Sequence, residues 1–485
     1  MADHLALVPA RRISAAGLAR VLGGWRGRGP AYAALADAVR LALVSGAVPV
    51  GTRLPSEREL AEHLGLSRTT TSAAYRRLRE QRYLAGRRGA GSVLVLPTPP
   101  RPDAWRPDTA EGRWELDLSM TMPPLPPELT AAVAEALELL PAHAGAPSGY
   151  LVRGSRALRE AIARRYTARG VPTDPEQVLV TTGAQHALHL LATVLCARGD
   201  RVVVEHPTYP NAIGVVRERG ARPVPVPMTA DGVDLDLLES TLRASGARAV
   251  YLVADNHNPT GVTLAAAARA RVADLCRRHG AVLVLDETLA DLHLDAPPDP
   301  DAAAAPERPG ATVVRVGSAS KSFWAGLRVG WVRAPAALVE RLAAARMTSD
   351  IATAVLDQLA LVRLLDREEV VLPRLRDELR ARRDLLADLL RARAPQWRFP
   401  TPAGGMVLWV DLGARASTSL AALAGEAGLR VPPGTRFGVD GSFDQFLRLS
   451  FGADPADLER AVDVLVAAWP RAVGSALPLD GRAVV

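Results

Sequence analysis

Short β-rich runs alternating with helical patterns constrain this chain more than anything else in it. QVLVTTG (177–183) leads into AQHALHLLATVLCARG, and RVVVE (201–205) precedes HPTYPNAIGVVRERG. ARAVYLVAD (247–255), AVLVLDE (281–287) and ATVVRVG (311–317) are continuously apolar. A strand that is apolar on both faces must be covered on both faces, which predicts an α/β domain with a mainly parallel sheet between helices. From about residue 366 the texture changes to long Arg/Leu helices, then GGMVLWVDL (404–412) and QFLRLSFG (445–452). That predicts a smaller α+β subdomain over about 366–470, inside a domain spanning 115–475.

Of the 59 basic residues, 58 are Arg and one is Lys321. Arg stays protonated in proteins, whereas a desolvated Lys can lose its proton and attack a carbonyl. Lys321 lies in SASKSFWAGLRVGW (318–331), directly after the run 311–317. It therefore sits where a buried strand opens into a loop, the place where open α/β sheets build ligand sites.

The net charge of +7 is uneven. Residues 1–97 hold 15 Arg against 6 acidic residues, and the remaining 388 hold 44 basic against 46 acidic. A basic N-terminal module points to a polyanion such as DNA. Residues 1–30 form an extension with a short helix expected within 13–27. Residues 31–97 form a helical module ending in a Gly-rich hairpin, and 98–114, rich in Pro and Arg, form a linker. In 51–94, Pro55-Ser56 caps a helix carrying Leu60 and Leu64, Gly65 makes the turn, and Ser67 caps a second helix with Ala74, Tyr75 and Leu78 facing inward. Arg68, Thr69 and Thr70 fall in the first turn of that helix, where hydroxyls and N–H groups can hold phosphate and Arg68 can reach base edges. Arg87, Arg88 and Gly89 mark the hairpin tip. Cys196 and Cys276 show no metal or redox spacing, which predicts no metal site and fits a reducing cytoplasm. No apolar run reaches membrane-spanning length, and the N-terminus carries no signal-peptide pattern.

Five further pieces converge with Lys321 on one pyridoxal 5′-phosphate (PLP) pocket. Asp286 ends a strand, where its carboxylate can keep a pyridine nitrogen protonated. Asn258 in NHNPTG can bond the ring's phenolic oxygen, and Tyr209 in HPTYP can stack on the ring. Gly183, Ala184 and Gln185 start a helix whose N–H groups can bind phosphate. Ser318, Ser320 and Arg328 flank the lysine and can complete the phosphate cup.

Residues 51–94 resemble the DNA-binding domain of the GntR superfamily through GTRLPSEREL, LGLSRTT and the GAG of the hairpin. That resemblance implies DNA contacts at Arg58, Ser67, Arg68, Thr69 and Thr70, with the wing at Arg88 and Gly89. Residues 115–470 resemble fold-type I, class I/II aminotransferases. This second resemblance implies that Arg448 in FLRLSFG clamps a substrate carboxylate and that Tyr150 reaches the phosphate across a homodimer interface. One position departs: DETL puts Leu289 where that family places a tyrosine donating to the ring oxygen. The whole arrangement resembles the MocR-type regulators, implying a transcription factor whose PLP-holding domain senses PLP or an amino compound. Two alternatives stay open: a working aminotransferase with an accessory DNA-binding domain, and a regulator whose second domain is a scaffold without PLP.

Overall fold

The computed structural model describes residues 11–26, 30–44, 48, 52–81, 83–87, 91–94, 114–143, 149–297 and 299–474. It divides into two compact units, Met1–Glu111 and Gly112–Val485. Among the described residues no helix is long and apolar enough to cross a membrane.

The first unit contains helices α1 (Ala15–Leu22), α2 (Ala31–Val44), α3 (Glu57–Leu64) and α4 (Arg68–Glu80). Strands β1 (Arg11–Arg12), β2 (Thr52–Arg53), β3 (Leu84–Arg87) and β4 (Gly91–Leu94) form a sheet in the order β1-β2-β4-β3. Local chemistry sets the helix–turn–helix. Ser56 and Glu59 form a reciprocal capping box at the start of α3, Gly65 ends it in the left-handed region (φ 62°), and the Ser67 hydroxyl accepts from Thr70 N–H at the start of α4. Leu60, Ala74, Tyr75 and Leu78 are buried together with Leu18 of α1. The N-terminal extension thus contributes to the core of the winged-helix unit instead of standing apart from it. The hairpin β3–β4 lies where the Gly-rich signal put it, while Arg88 and Gly89 at its tip and linker residues 98–113 lie outside the described residues.

The second unit is built on an eight-stranded sheet. Its strands, with those of the smaller subdomain, are β5 (Leu116–Asp117), β6 (Val178–Thr181), β7 (Arg201–His206), β8 (Arg222–Thr229), β9 (Gly232–Val233), β10 (Ala249–Val253), β11 (Val282–Asp286), β12 (Val313–Ser318), β13 (Gly330–Arg333), β14 (Val407–Asp411), β15 (Leu429–Arg430) and β16 (Phe446–Ser450). The sheet order is β6-β13-β12-β11-β10-β7-β8-β9. β7, β8, β10, β11 and β12 pair in parallel, while β13 runs antiparallel between β12 and β6. The sequence patterning did not mark β13, because its four residues fall inside the lysine motif. Its entry also needs bare backbone opposite: a Cβ on Gly317 would lie 2.2 Å from the Trp331 ring.

Every residue of β10 and β12 is buried, as continuous apolar runs require. The register aligns the ends of these strands. Val253 pairs with Asp286, Asp286 with Val316, Ser318 with Gly330, and Gly330 with Thr181. One edge of the sheet therefore presents Asp286, Ser318, the Lys321 loop and the Gly183 turn together.

The smaller subdomain pairs β14 with β16 in antiparallel fashion, flanked by helices Glu368–Arg393, Ser417–Glu426 and Pro455–Gly474. It reaches beyond the stretch expected from sequence. β5 pairs with β15, and Leu116, Leu118, Leu289, Leu292 and Leu294 join its apolar core.

Candidate cofactor and DNA sites

Lys321 follows β12 by three residues and is half-buried. Its Nζ donates to the backbone oxygen of Thr121. Burial pushes its ammonium down to about 8. The Arg448 guanidinium adds to that, the Asp286 carboxylate opposes it, and Arg328 adds further. The amine is thus neutral for roughly a tenth of the time at pH 7, far more than an ordinary surface lysine.

Asp286 is buried at the end of β11 and is held on both oxygens. Tyr251 donates to Oδ2 at 2.7 Å; Thr288 donates to Oδ1 through its N–H at 3.0 Å and its hydroxyl at 2.7 Å. Burial and the neighbouring carboxylate push the Tyr251 phenol well above its usual value, so it remains a donor. The sequence pattern did not single out Tyr251 or Thr288. The available signal was a hydroxyl-bearing aromatic in an otherwise Val/Leu strand, since a buried tyrosine needs a partner for its O–H.

The helix Ala184–Leu195 begins at Gly183 (φ 83°) with no side-chain cap, so its first N–H groups are open to a ligand. Arg328, itself left-handed at φ 50°, donates from Nη2 to Thr182 O at 3.3 Å. A Cβ on Gly183 would lie 2.6 Å from that Nη2. Only a bare backbone lets the guanidinium close over the helix start. The Ser318 and Ser320 hydroxyls are 3.1 Å apart beside it. Tyr209 is tied to the same helix: its hydroxyl donates to Gln185 Oε1 at 3.4 Å and accepts from Asn211 Nδ2 at 2.9 Å.

Arg448 is buried in β16 and belongs to the same constellation. Nη1 donates to Asn258 Oδ1 at 3.4 Å, Nη2 donates to Ser119 O, and the guanidinium carbon lies 5.3 Å from the Phe437 ring centre. Its Nε is buried without a hydrogen-bond partner among the described residues. Burial lowers this guanidinium to about 10, against the opposing effect of Tyr209 and Asp117. Leu289 is buried in the apolar core of the smaller subdomain and offers no donor; its backbone oxygen accepts from Asn256 Nδ2 at 2.9 Å. Tyr150 is 64% exposed.

These residues suit PLP on chemical grounds. They offer a bare-glycine anion cup under a guanidinium, a fixed buried carboxylate, an amide at hydrogen-bonding range of an arginine, and an amine with a depressed pKa.

On the first unit, Arg68 and Thr69 are exposed and Thr70 is half-buried at the start of α4. The Ser67 hydroxyl is occupied by capping and by contacts to Thr69 and Thr70 Oγ1 at 2.8 and 2.7 Å, while Arg68 is exposed beside them and, against the opposing effect of burial, helps hold the Glu57 carboxyl below its usual range. Arg58 is exposed and lies 3.4 Å from Glu62.

Residues 126–465 match the family "Aminotransferase class I and II", and residues 31–94 match "Bacterial regulatory proteins, gntR family". The chain is 29% identical over 396 residues to the uncharacterized HTH-type transcriptional regulator YisV of Bacillus subtilis, covering 76% of this chain and 81% of that protein. It is 31% identical over 338 residues to the probable rhizopine catabolism regulatory protein MocR of Rhizobium meliloti, covering 64% and 66%. Among solved structures it resembles LysN, an alpha-aminoadipate aminotransferase from Thermus thermophilus complexed with N-(5′-phosphopyridoxyl)-L-leucine, with a TM-score of 0.67, 28% identity, and 75% and 94% of the two chains covered. The chain belongs to the aminotransferase class I and II family and, with a gntR-family winged helix on the same polypeptide, is a fusion of the MocR type whose cofactor is PLP.

Proposed function

We propose that this protein is a DNA-binding transcriptional regulator that holds PLP and senses it or an amino compound. One observation carries the proposal: a helix–turn–helix with Arg68 projecting from its second helix shares a chain with a full PLP-suited constellation in which position 289 is leucine.

Within that proposal Lys321 is the residue that bonds the cofactor, and its depressed pKa keeps a neutral amine available. Asp286, fixed by Tyr251 and Thr288, holds the pyridine nitrogen protonated. Asn258 bonds the phenolic oxygen, and Tyr209 covers the ring. The N–H groups of Gly183, Ala184 and Gln185, the hydroxyls of Ser318 and Ser320, and Arg328 take the phosphate. When bound, PLP supplies an electron sink for a bond next to an amine nitrogen. Arg448 takes the carboxylate of the amino compound; its unpartnered Nε and buried position favour an anion. Arg58, Ser67, Arg68, Thr69 and Thr70 face DNA, with the wing at Arg88 and Gly89. The chain acts as a homodimer in the cytoplasm, with Tyr150 reaching the phosphate of the second copy; its exposure, and that of Met122 and Leu125, supports such a cover.

A working aminotransferase is the second reading. The retention of Asn258 and Arg448 side by side at 3.4 Å favours it, and Leu289 disfavours it. The deciding experiment titrates PLP-loaded protein with amino compounds, following absorbance and the affinity for genomic DNA fragments that the protein itself selects. A sensor changes both without releasing keto acid. Continuous keto acid release would make the chain an enzyme first.

A further inference from the structure

The segment Asp117–Thr121 is tied to the site from both sides. Lys321 Nζ donates to Thr121 O, and Arg448 Nη2 donates to Ser119 O. The same two residues carry buried hydroxyls, Ser119 Oγ and Thr121 Oγ1, that have no hydrogen-bond partner among the described residues. Ser119 is 4% exposed, so its orphan hydroxyl is a real cost. The chain bends at Ser119 and Met120, with Ser119 N–H donating to Asp117 Oδ1 at 2.7 Å. The segment is anchored upstream by the pairing of β5 with β15, where Leu116 and Asp117 meet Leu429 and Arg430. It follows closely on the linker expected at 98–114, so it lies on the covalent path from the first unit to Lys321.

Both donors have a second duty under the function proposed above, on which this inference rests. A bond from the Lys321 nitrogen to the cofactor would use up hydrogens that it now offers to Thr121 O. A carboxylate at Arg448 competes with Ser119 O for the same guanidinium face. We propose that residues 117–121 form a displaceable strap: the cofactor withdraws Lys321 from Thr121 O, the amino compound withdraws Arg448 from Ser119 O, and the still unpaired Ser119 and Thr121 hydroxyls become contacts for the polar groups of that compound. Occupancy of the site is thereby written onto the stretch of chain that leads to the DNA-binding unit.

The test places an environment-sensitive dye on the strap through Met120→Cys, a position that is 42% exposed and outside the contacts above. The two native cysteines are buried. Adding PLP to the full chain is expected to change the dye's emission, and the twenty standard amino acids are then screened on the PLP-loaded protein for a second change. Lys321→Ala should abolish the first change and Arg448→Ala the second. Ser119→Ala combined with Thr121→Val should weaken amino acid affinity about tenfold on protein already saturated with PLP. If the absorbance reports attachment of PLP while the dye stays silent, the strap is overturned and the sensor reading stands. An emission change that survives in Lys321→Ala also overturns it. If no amino compound alters the absorbance, the amino-compound half of the strap is overturned, sensing of PLP itself stands, and the PLP arm decides the rest.

Discussion

Tyr251 and Asp286 are joined by a 2.7 Å hydrogen bond across two adjacent parallel strands, and both side chains are buried. The register explains the contact. Tyr251 pairs with Val284 and Val253 with Asp286, so all four share one face and the long phenol reaches the carboxylate two positions along. Tyr251→Phe keeps the ring and removes the donor. It should cost about 1–3 kcal/mol of stability in urea unfolding, the range for a buried donor to a charged acceptor. It should also shift the pH dependence of the bound cofactor's absorbance, because Asp286 would hold the pyridine proton differently. A variant matching the wild type in both respects would remove Tyr251 from the site.

The lysine gives a pH dependence with a definite sign. Attachment of PLP needs the neutral amine, so its rate should rise about tenfold per pH unit up to about 8 and flatten above. The same shift acts on folding. Folded Lys321 loses its proton near 8 and an unfolded lysine near about 10.4, so between those values the unfolded chain binds more protons and stability gains as pH rises. Lys321→Met removes that gain. Stopped-flow absorbance and denaturation at several pH values measure the two effects. Borohydride reduction should label one peptide, since position 321 is the chain's one lysine.

On DNA, Arg68→Ala should cost about 1–3 kcal/mol and relax specificity at one base step. Arg88→Ala should weaken binding evenly across sequences. A dimer neutralising roughly eight phosphates gives a slope of log K against log salt of about −7. Fluorescence anisotropy on matched and mismatched duplexes reads all three, and an affinity indifferent to salt would refute the DNA-binding face.

Arg448→Ala should eliminate the spectral response to amino acids while covalent attachment of PLP persists. Leu289→Tyr supplies a hydroxyl at the position where the aminotransferase resemblance expects one, and should raise the single-turnover rate of amino group transfer. Wild-type turnover of about 1–10³ per second on a common amino acid, the range of ordinary enzymes, would be incompatible with a dedicated sensor.

The sheet was legible because its buried strands are continuously apolar, and the site was legible because its residues lie at strand ends in a set order. β13 escaped because GWVR is short and starts with a glycine that backbone packing demands. Tyr251 escaped because a tyrosine among valines and leucines also fits a plain core position. Ser119 and Thr121 escaped because SMTM is short and carries no site motif; their importance comes from what Lys321 and Arg448 reach across about 200 and 330 residues of chain. In the first unit the caps at Ser56, Gly65 and Ser67 were readable because they act within four residues. The burial of Leu18 was not readable, because it depends on contacts with distant helices.

That buried leucine bears on how the N-terminal module can be studied. The gntR-family match starts at residue 31, but β1 pairs with β2 and α1 fills the core upstream of that boundary. A gene fragment cut at 31 would lose Leu18 and its neighbours Ile13 and Leu22, leaving a cavity of the kind that costs several kcal/mol in a small domain with little to spare. A fragment that keeps this core must therefore begin no later than Arg11, so packing, not the extent of sequence homology, sets where this protein can be divided.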